Sequence, residues 1–124
     1  MNRKIKVIQF GVGDIGKSIV RALLKSNHRF ELIGAVDIDP KKVGNDIGDL
    51  VGFEGLTGIV VSPDLRHIKK RADVAIHTSV SFLPEASNQV IELLKSGCNV
   101  ISTSEELFFL EKRDKKKFDY INSL

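Results

Sequence analysis

Three glycines carry the first chemical signal. Gly11, Gly13 and Gly16 stand in Phe10-Gly11-Val12-Gly13-Asp14-Ile15-Gly16. The spacing alone is a chance pattern in many chains, and its flanks give it weight here. An apolar, strand-like run (Ile5, Val7, Ile8, Phe10) precedes it, and a helix-period run (Ile15, Ile19, Ala22, Leu23) follows. In that setting each glycine has a task. Gly11 lets the chain turn tightly out of the strand, Gly13 puts no side chain in the way of a pyrophosphate, and Gly16 lets the helix pack close to the sheet. The N–H groups left over at the helix start, with the helix dipole, then face the phosphates. Asp14 suits that positive end and must turn away from a bound pyrophosphate. The plain alternative is a glycine-rich turn with no ligand.

Asp37 is the second signal. It lies about twenty residues beyond Gly16, the spacing expected of an acid that accepts from ribose hydroxyls. It sits in Asp37-Ile38-Asp39-Pro40, at the end of an apolar run. A carboxylate there repels a 2′-phosphate, which favours NAD. Lys41 and Lys42 offset that repulsion and keep NADP open. The alternative for Asp37 is a turn acid before Pro40. The third signal is His77-Thr78-Ser79, at the end of another apolar run. Ligands of doubly wound sheets lie beyond the carboxyl ends of the strands, so Thr78 and Ser79 are expected to line a cofactor cleft. His77 is the histidine with a claim on function, against the alternative of a satisfied strand-end imidazole. His28 and His67 are read as surface residues.

The elements that must position these residues alternate strand and helix. Strands are expected over Lys4–Phe10, Phe30–Ile38, Gly58–Val61, Asp73–His77 and Asn99–Ser102. Helices are expected over Asp14–Ser26, with Ile15, Ile19, Ala22 and Leu23 inward, and over Leu83–Ser96, with Ala86, Val90, Leu93 and Leu94 inward. Pro84 fits the first turn of the second and Gly97 its end. Glycines at 44, 48, 52, 55 and 58 argue against one long helix after Pro40, so a short helix near Lys41–Asp49 and then a loop is expected. Ser62-Pro63-Asp64 reads as a helix start, with Leu65 and Ile68 apolar and Lys69, Lys70 and Arg71 at its end. Thr103-Ser104-Glu105-Glu106 is a capping-box pattern opening a last helix. The alternation predicts one α/β domain over residues 1–124: a doubly wound parallel sheet of Rossmann type with strand order 3-2-1-4-5.

Composition agrees with that class. Of 124 residues, 42% are hydrophobic and 28% charged, ordinary values for a globular domain with one core. No apolar run is long enough to span a membrane, and Met1-Asn2-Arg3-Lys4 runs straight into a strand, so neither membrane nor signal peptide is expected. The single cysteine, Cys98, excludes an intrachain disulfide and reads as a buried, reduced thiol of a cytoplasmic chain. The net charge of +3 is concentrated at Lys112, Arg113, Lys115, Lys116 and Lys117. Glu105, Glu106, Glu111 and Asp114 dilute it and no aromatic stacking pattern accompanies it, so a solvated helix face is expected and nucleic acid is not. Leu107-Phe108-Phe109-Leu110 is expected to be buried by a second copy, making a homo-oligomer, or else by the chain's own sheet.

The chain resembles the N-terminal domain of the dihydrodipicolinate reductase-like family, and most of all its 2,4-diaminopentanoate dehydrogenase branch. The resemblance rests on residues 7–16 (VIQFGVGDIG), 35–44 (AVDIDPKKVG), 77–83 (HTSVSFL) and 97–107 (GCNVISTSEEL). It implies an oxidoreductase domain of amino-acid metabolism that binds NAD or NADP. One branch deaminates an amino acid's side-chain amine oxidatively, to a ketone and ammonia. The other reduces a cyclic imine in lysine synthesis. By position, the resemblance gives Gly11, Gly13, Asp14, Ile15 and Gly16 to the pyrophosphate, and Asp37, with Ile38 beside it, to the adenosine ribose. It sets Thr78 and Ser79 beside the cofactor and Ser102 and Thr103 toward the nicotinamide. Family members continue into a substrate domain that holds the proton-transfer residues, so no catalytic residue and no metal ligand is assigned. The expectation is the N-terminal part of a longer enzyme, inactive alone, that reaches a small amino-acid-derived substrate only through that missing domain. A stand-alone nicotinamide-nucleotide sensor is the alternative. An S-adenosylmethionine methyltransferase is a third class, disfavoured by the glycine spacing.

Overall fold

A computed structural model describes residues 3–79, 85–103 and 115–124. Five parallel strands form one sheet in the order β3-β2-β1-β4-β5: β1 Ile5–Phe10, β2 Phe30–Val36, β3 Val61–Ser62, β4 Val74–His77 and β5 Asn99–Ser102. The doubly wound expectation and its strand order hold. Helix α1 (Asp14–Lys25) crosses from β1 to β2, and α3 (Glu85–Lys95) from β4 to β5. Helix α2 (Ile47–Val51) lies between β2 and β3, and α4 (Lys115–Ser123) packs against α3. Among the described residues, no helix is long and apolar enough to cross a membrane.

Alternation along β1 sends its side chains to two cores. Val7 packs with Val12, Val20, Leu23, Ile47, Val51 and Val61 on the α1–α2 side. Ile8 and Phe10 pack with Ala75, Leu93 and Cys98 on the α3 side. A sheet covered on both faces accounts for the near-continuous apolar strands. Cys98 is buried and free, its thiol donating to the Leu93 carbonyl at 3.2 Å, as the sequence suggested. Strands β1 and β2 pair with one irregularity: Val7 faces Leu32 and Ile8 faces Gly34, so Ile33 is an extra residue in β2. A Cβ on Gly34 would meet Ile68 at 2.6 Å, so the bare backbone there seats the Ile68 side chain.

Four expectations are corrected. The buried α1 residues are Gly16, Val20 and Leu23, while Ile15 is 59% exposed and Ala22 is exposed too. The helix expected at Lys41–Asp49 is two pieces. A turn is tied to Asp39 and ended by Gly44 at φ +89, and α2 is then capped by Asp46 and ended by Gly52 at φ +72. Strand β3 begins at Val61 and not Gly58, because Ile59 and Val60 turn away to bond with residues 46–47. The helix expected after Ser62 is one 3-10 turn, Leu65–His67, capped by Asp64, after which Ile68 leaves in an extended conformation. The Leu107–Leu110 cluster and the capping box beyond Thr103 lie outside the described residues.

Candidate functional site

The site is built at the carboxyl ends of β1 and β2 and the start of α1. Gly11 leaves β1 at φ +105, a conformation that favours glycine, while its N–H donates to the Val36 carbonyl at 2.8 Å. A Cβ there would also stand 2.7 Å from the Ser79 backbone. A Cβ on Gly16 would land on the Gly11 carbonyl oxygen, and 3.0 Å from the Thr78 hydroxyl. Gly13 differs from both: a Cβ on it would meet nothing within 4 Å. Gly11 and Gly16 are buried and exist for packing, whereas Gly13 is exposed and fronts open space. That is the division of labour a phosphate-binding turn needs.

Gly13 is the N-cap of α1 and supplies no capping side chain. The first intrahelical bond runs from Lys17 N–H to Gly13 O at 2.8 Å. The N–H groups of Gly13, Asp14 and Ile15 therefore have no acceptor among the described residues. These three unsatisfied donors at a helix start, plus the dipole, make an anion cradle. Asp14 is exposed and does not cap the helix.

A polar knot holds the loop from beneath. Gln9 is fully buried, and its Nε2 donates to Gly11 O at 3.0 Å and to Thr78 Oγ1 at 3.1 Å. Thr78 Oγ1 donates to the same carbonyl at 3.0 Å. Gly11 O accepts from both side chains, which fixes the Gln9 amide orientation and leaves its Oε1 a buried acceptor with no partner among the described residues. Sequence reasoning missed Gln9. A lone polar residue in an apolar strand, two residues before the first glycine, was the signal.

Asp37 reaches this loop directly. Its Oδ2 accepts from Val12 N–H at 2.8 Å and its Oδ1 from Asp39 N–H at 2.9 Å. Lys42 Nζ lies 3.9 Å from Asp37 Oδ2 and 3.9 Å from Asp39 Oδ2. The candidate ribose acid and the candidate phosphate loop are thus one hydrogen bond apart. Ile38 follows, 77% exposed beside the acid, and Ile15 is exposed at the helix start.

Asp46, which the sequence reading passed over, organises the glycine-rich segment behind the acid. Its Oδ1 accepts from Gly48 N–H, Thr57 N–H and the Thr57 hydroxyl, and its Oδ2 from Gly58 N–H. Desolvation pushes its carboxyl up, and these bonds, led by the Thr57 hydroxyl, outweigh it and hold the group below its ordinary value.

At the other side of the switch point, Thr78 is engaged under the loop and Ser79 is exposed beside Gly11. His77 is fully buried at the end of β4. Its Nδ1 lies 2.7 Å from Ser102 Oγ and its Nε2 2.7 Å from Gln89 Oε1. Burial pushes its pKa down, and the Gln89 bond pulls back only in part. His77 is thus the satisfied strand-end histidine, with both nitrogens occupied. Ser102 ends β5 next to it, and the following Thr103 N–H donates to the His77 carbonyl at 3.0 Å. His67 is exposed, bonded to Asp64. No metal-holding cluster of His, Cys, Asp or Glu occurs among the described residues.

A parallel 3-2-1-4-5 sheet with an open glycine cradle at its switch point defines a nucleotide-binding domain of the doubly wound, Rossmann class. Residues 5–105 match the family described as dihydrodipicolinate reductase, N-terminus, and the chain belongs to that family. It is similar to the amine dehydrogenase of Mycobacterium smegmatis, with 26% identity and a TM-score of 0.86 over 98% of this chain and 36% of that one. It is similar also to the WlbA dehydrogenase of Chromobacterium violaceum, solved with NADH and UDP-GlcNAcA: 30% identity, TM-score 0.63, 82% of this chain and 28% of that one. An acetaldehyde dehydrogenase of Thermus thermophilus is 30% identical over 98 residues, 75% of this chain and 32% of the relative. The chain spans about a third of the length of these relatives.

Proposed function

We propose that this chain is the cofactor-binding domain of an NAD-dependent dehydrogenase acting on a small amino-acid-derived amine. The observation that carries the reading is the open face of Gly13 at the start of α1, with Asp37 hydrogen-bonded to Val12 in the same loop. The donors of Gly13, Asp14 and Ile15 suit a pyrophosphate, and Gly11 and Gly16 shape the turn that presents them. Asp37 takes the adenosine ribose hydroxyls, and Ile38 and Ile15 offer apolar surface to the rings beyond. Thr78 braces the loop from below, while Ser79, Ser102 and Thr103 form the nicotinamide side. NADH in the WlbA relative supports the choice of nucleotide, and the likeness to an amine dehydrogenase supports the amine.

The bound nicotinamide supplies hydride transfer, and this chain's residues supply binding and orientation. Asp37 selects against a 2′-phosphate by charge, and Lys42, shared between Asp37 and Asp39, moderates that selection. Substrate contacts and proton transfer belong to a substrate domain of the kind the longer relatives have room for. Titration of the 124-residue chain with NADH and NADPH, read by nucleotide fluorescence, tests the cofactor; binding of neither refutes the reading. The protein from the full natural reading frame, incubated with NAD and 2,4-diaminopentanoate, tests the amine. NADH formation with ammonia release is expected, and NADH formation on alcohols alone would assign a different substrate class.

A further inference from the structure

We infer that His77 is a positioning residue for the nicotinamide side of the site, dictating which way the Ser102 hydroxyl hydrogen points. The inference rests on the function proposed above and adds a residue to it that has no contact with the ligand.

The argument starts from the register. His77 faces Phe10 of β1 on one side and Ser102 of β5 on the other. Its ring is buried 5.7 Å from the Phe10 ring centroid, with one nitrogen on Ser102 and the other on Gln89 of α3, each at 2.7 Å. Gln89 presents its carbonyl oxygen, so Nε2 carries the ring hydrogen. Neutral imidazole then has one acceptor left, Nδ1, and the partner at 2.7 Å must donate to it. Ser102 gives its hydrogen to His77 and meets every other neighbour as an acceptor. The backbone repeats the tie, since Thr103 N–H donates to the His77 carbonyl. Ser102 and Thr103 are thus both held by one histidine.

Protonation inverts this arrangement. With a hydrogen on both nitrogens, Nδ1 donates, Ser102 must accept, and its own hydrogen swings toward its other neighbours. A ligand amide or hydroxyl that donated to Ser102 then meets a donor. The groups facing the imidazole among the described residues are Phe10, Gln89 and Ser102, none of which titrates in the neutral range, so the change belongs to His77 itself. Burial keeps the ring neutral near neutrality and places the inversion at acid pH.

The test is NAD binding by calorimetry on the 124-residue chain between about pH 7.5 and about pH 5.5, for wild type, His77→Asn and Ser102→Ala. Wild-type affinity should fall as pH drops below 6.5, by up to about fivefold, the worth of one hydrogen bond. Both variants should bind more weakly at neutral pH with a flat profile, because neither can invert. Nitrogen-15 NMR of the ring gives a second readout on wild type, free of any folding defect in the variants. It should show Nε2–H and an Nδ1 acceptor at neutral pH, with the Nδ1 resonance moved in Ser102→Ala. An Nδ1–H ring, a flat wild-type profile or a His77→Asn profile as steep as wild type overturns the inference while leaving the cofactor reading intact. No NAD binding at any pH removes both.

Discussion

Gly13 and Gly16 should fail in opposite ways when replaced by alanine. In Gly16→Ala the new methyl lands on the Gly11 carbonyl oxygen and presses on the Thr78 hydroxyl. The oxygen is backbone, held by Gln9 and Thr78, so the helix must shift. Overpacking of this kind costs about 1–3 kcal/mol, and the backbone contact puts this case at the upper end. Alanine recovers about 1 kcal/mol of helix propensity, leaving a net loss of about 2 kcal/mol. For a domain of this size that is roughly 8 °C in Tm. In Gly13→Ala the methyl meets nothing, and the φ of −84° suits alanine. The weaker N-cap costs under about 1 kcal/mol. The methyl instead occupies the space in front of the helix donors. Loss of one charge-assisted phosphate bond, about 1.5–3 kcal/mol, weakens NADH about 10- to 100-fold. Thermal unfolding by circular dichroism and NADH fluorescence titration measure the two effects. A folded Gly13→Ala that binds like wild type, or a Gly16→Ala as stable as wild type, would refute the assignment of one glycine to ligand and the other to packing.

Asp37→Ala removes the acceptor of both Val12 and Asp39 N–H groups. It should weaken NADH at least about tenfold and NADPH much less, by competitive titration. Asp46→Ala strips α2 of its cap and the 57–58 turn of its anchor, and should cost about 2 kcal/mol in urea unfolding. Because the folded Asp46 value lies below its ordinary 3.8, its contribution is complete above that pH and is lost as pH falls through the folded value. Asp46→Asn should therefore flatten the acid limb below about pH 4. His77 acts in the same direction at higher pH. Its folded pKa lies below 6.5, so the unfolded chain binds more protons between the two values, and stability is full above 6.5 and declines as pH falls beneath it. Urea midpoints at stepped pH should show that slope in wild type and not in His77→Asn.

The parts of this molecule legible in its sequence are those set by local period and by glycine spacing. The near-continuous apolar runs of β1 and β2, the glycine triplet and Asp37 are each decided within a few residues, and the sheet order follows from connecting them right-handedly. The segment from Pro40 to Arg71 was read less well. Its conformation is decided by Asp46 reaching eleven residues ahead to Thr57, and by Ile68 finding the bare backbone of Gly34. Local propensity carries no record of such long-range partners. Gln9 and Gln89 were missed for the same reason, since an amide's value lies in what it meets. His77 was the opposite case. Burial among Phe10, Gln89 and Ser102 confirms the satisfied ring expected of a strand-end histidine, and its neighbours give that ring a further task.

The extra residue at Ile33 turns β2 into a ruler. Past it, Phe10 pairs with Val36, Gly11 bonds to Val36, and Asp37 arrives opposite Val12. A single-residue deletion between Phe30 and Val36 would slide the acid off the glycine loop and turn alternate side chains to the wrong core. The turn around Gly52 and Gly55 has no such partner on the loop and can change length at little cost. A library of one-residue insertions and deletions should therefore yield NADH binders with altered 52–56 turns and none with an altered β2. This gives the domain a length that cannot drift in one strand and can drift freely one turn away.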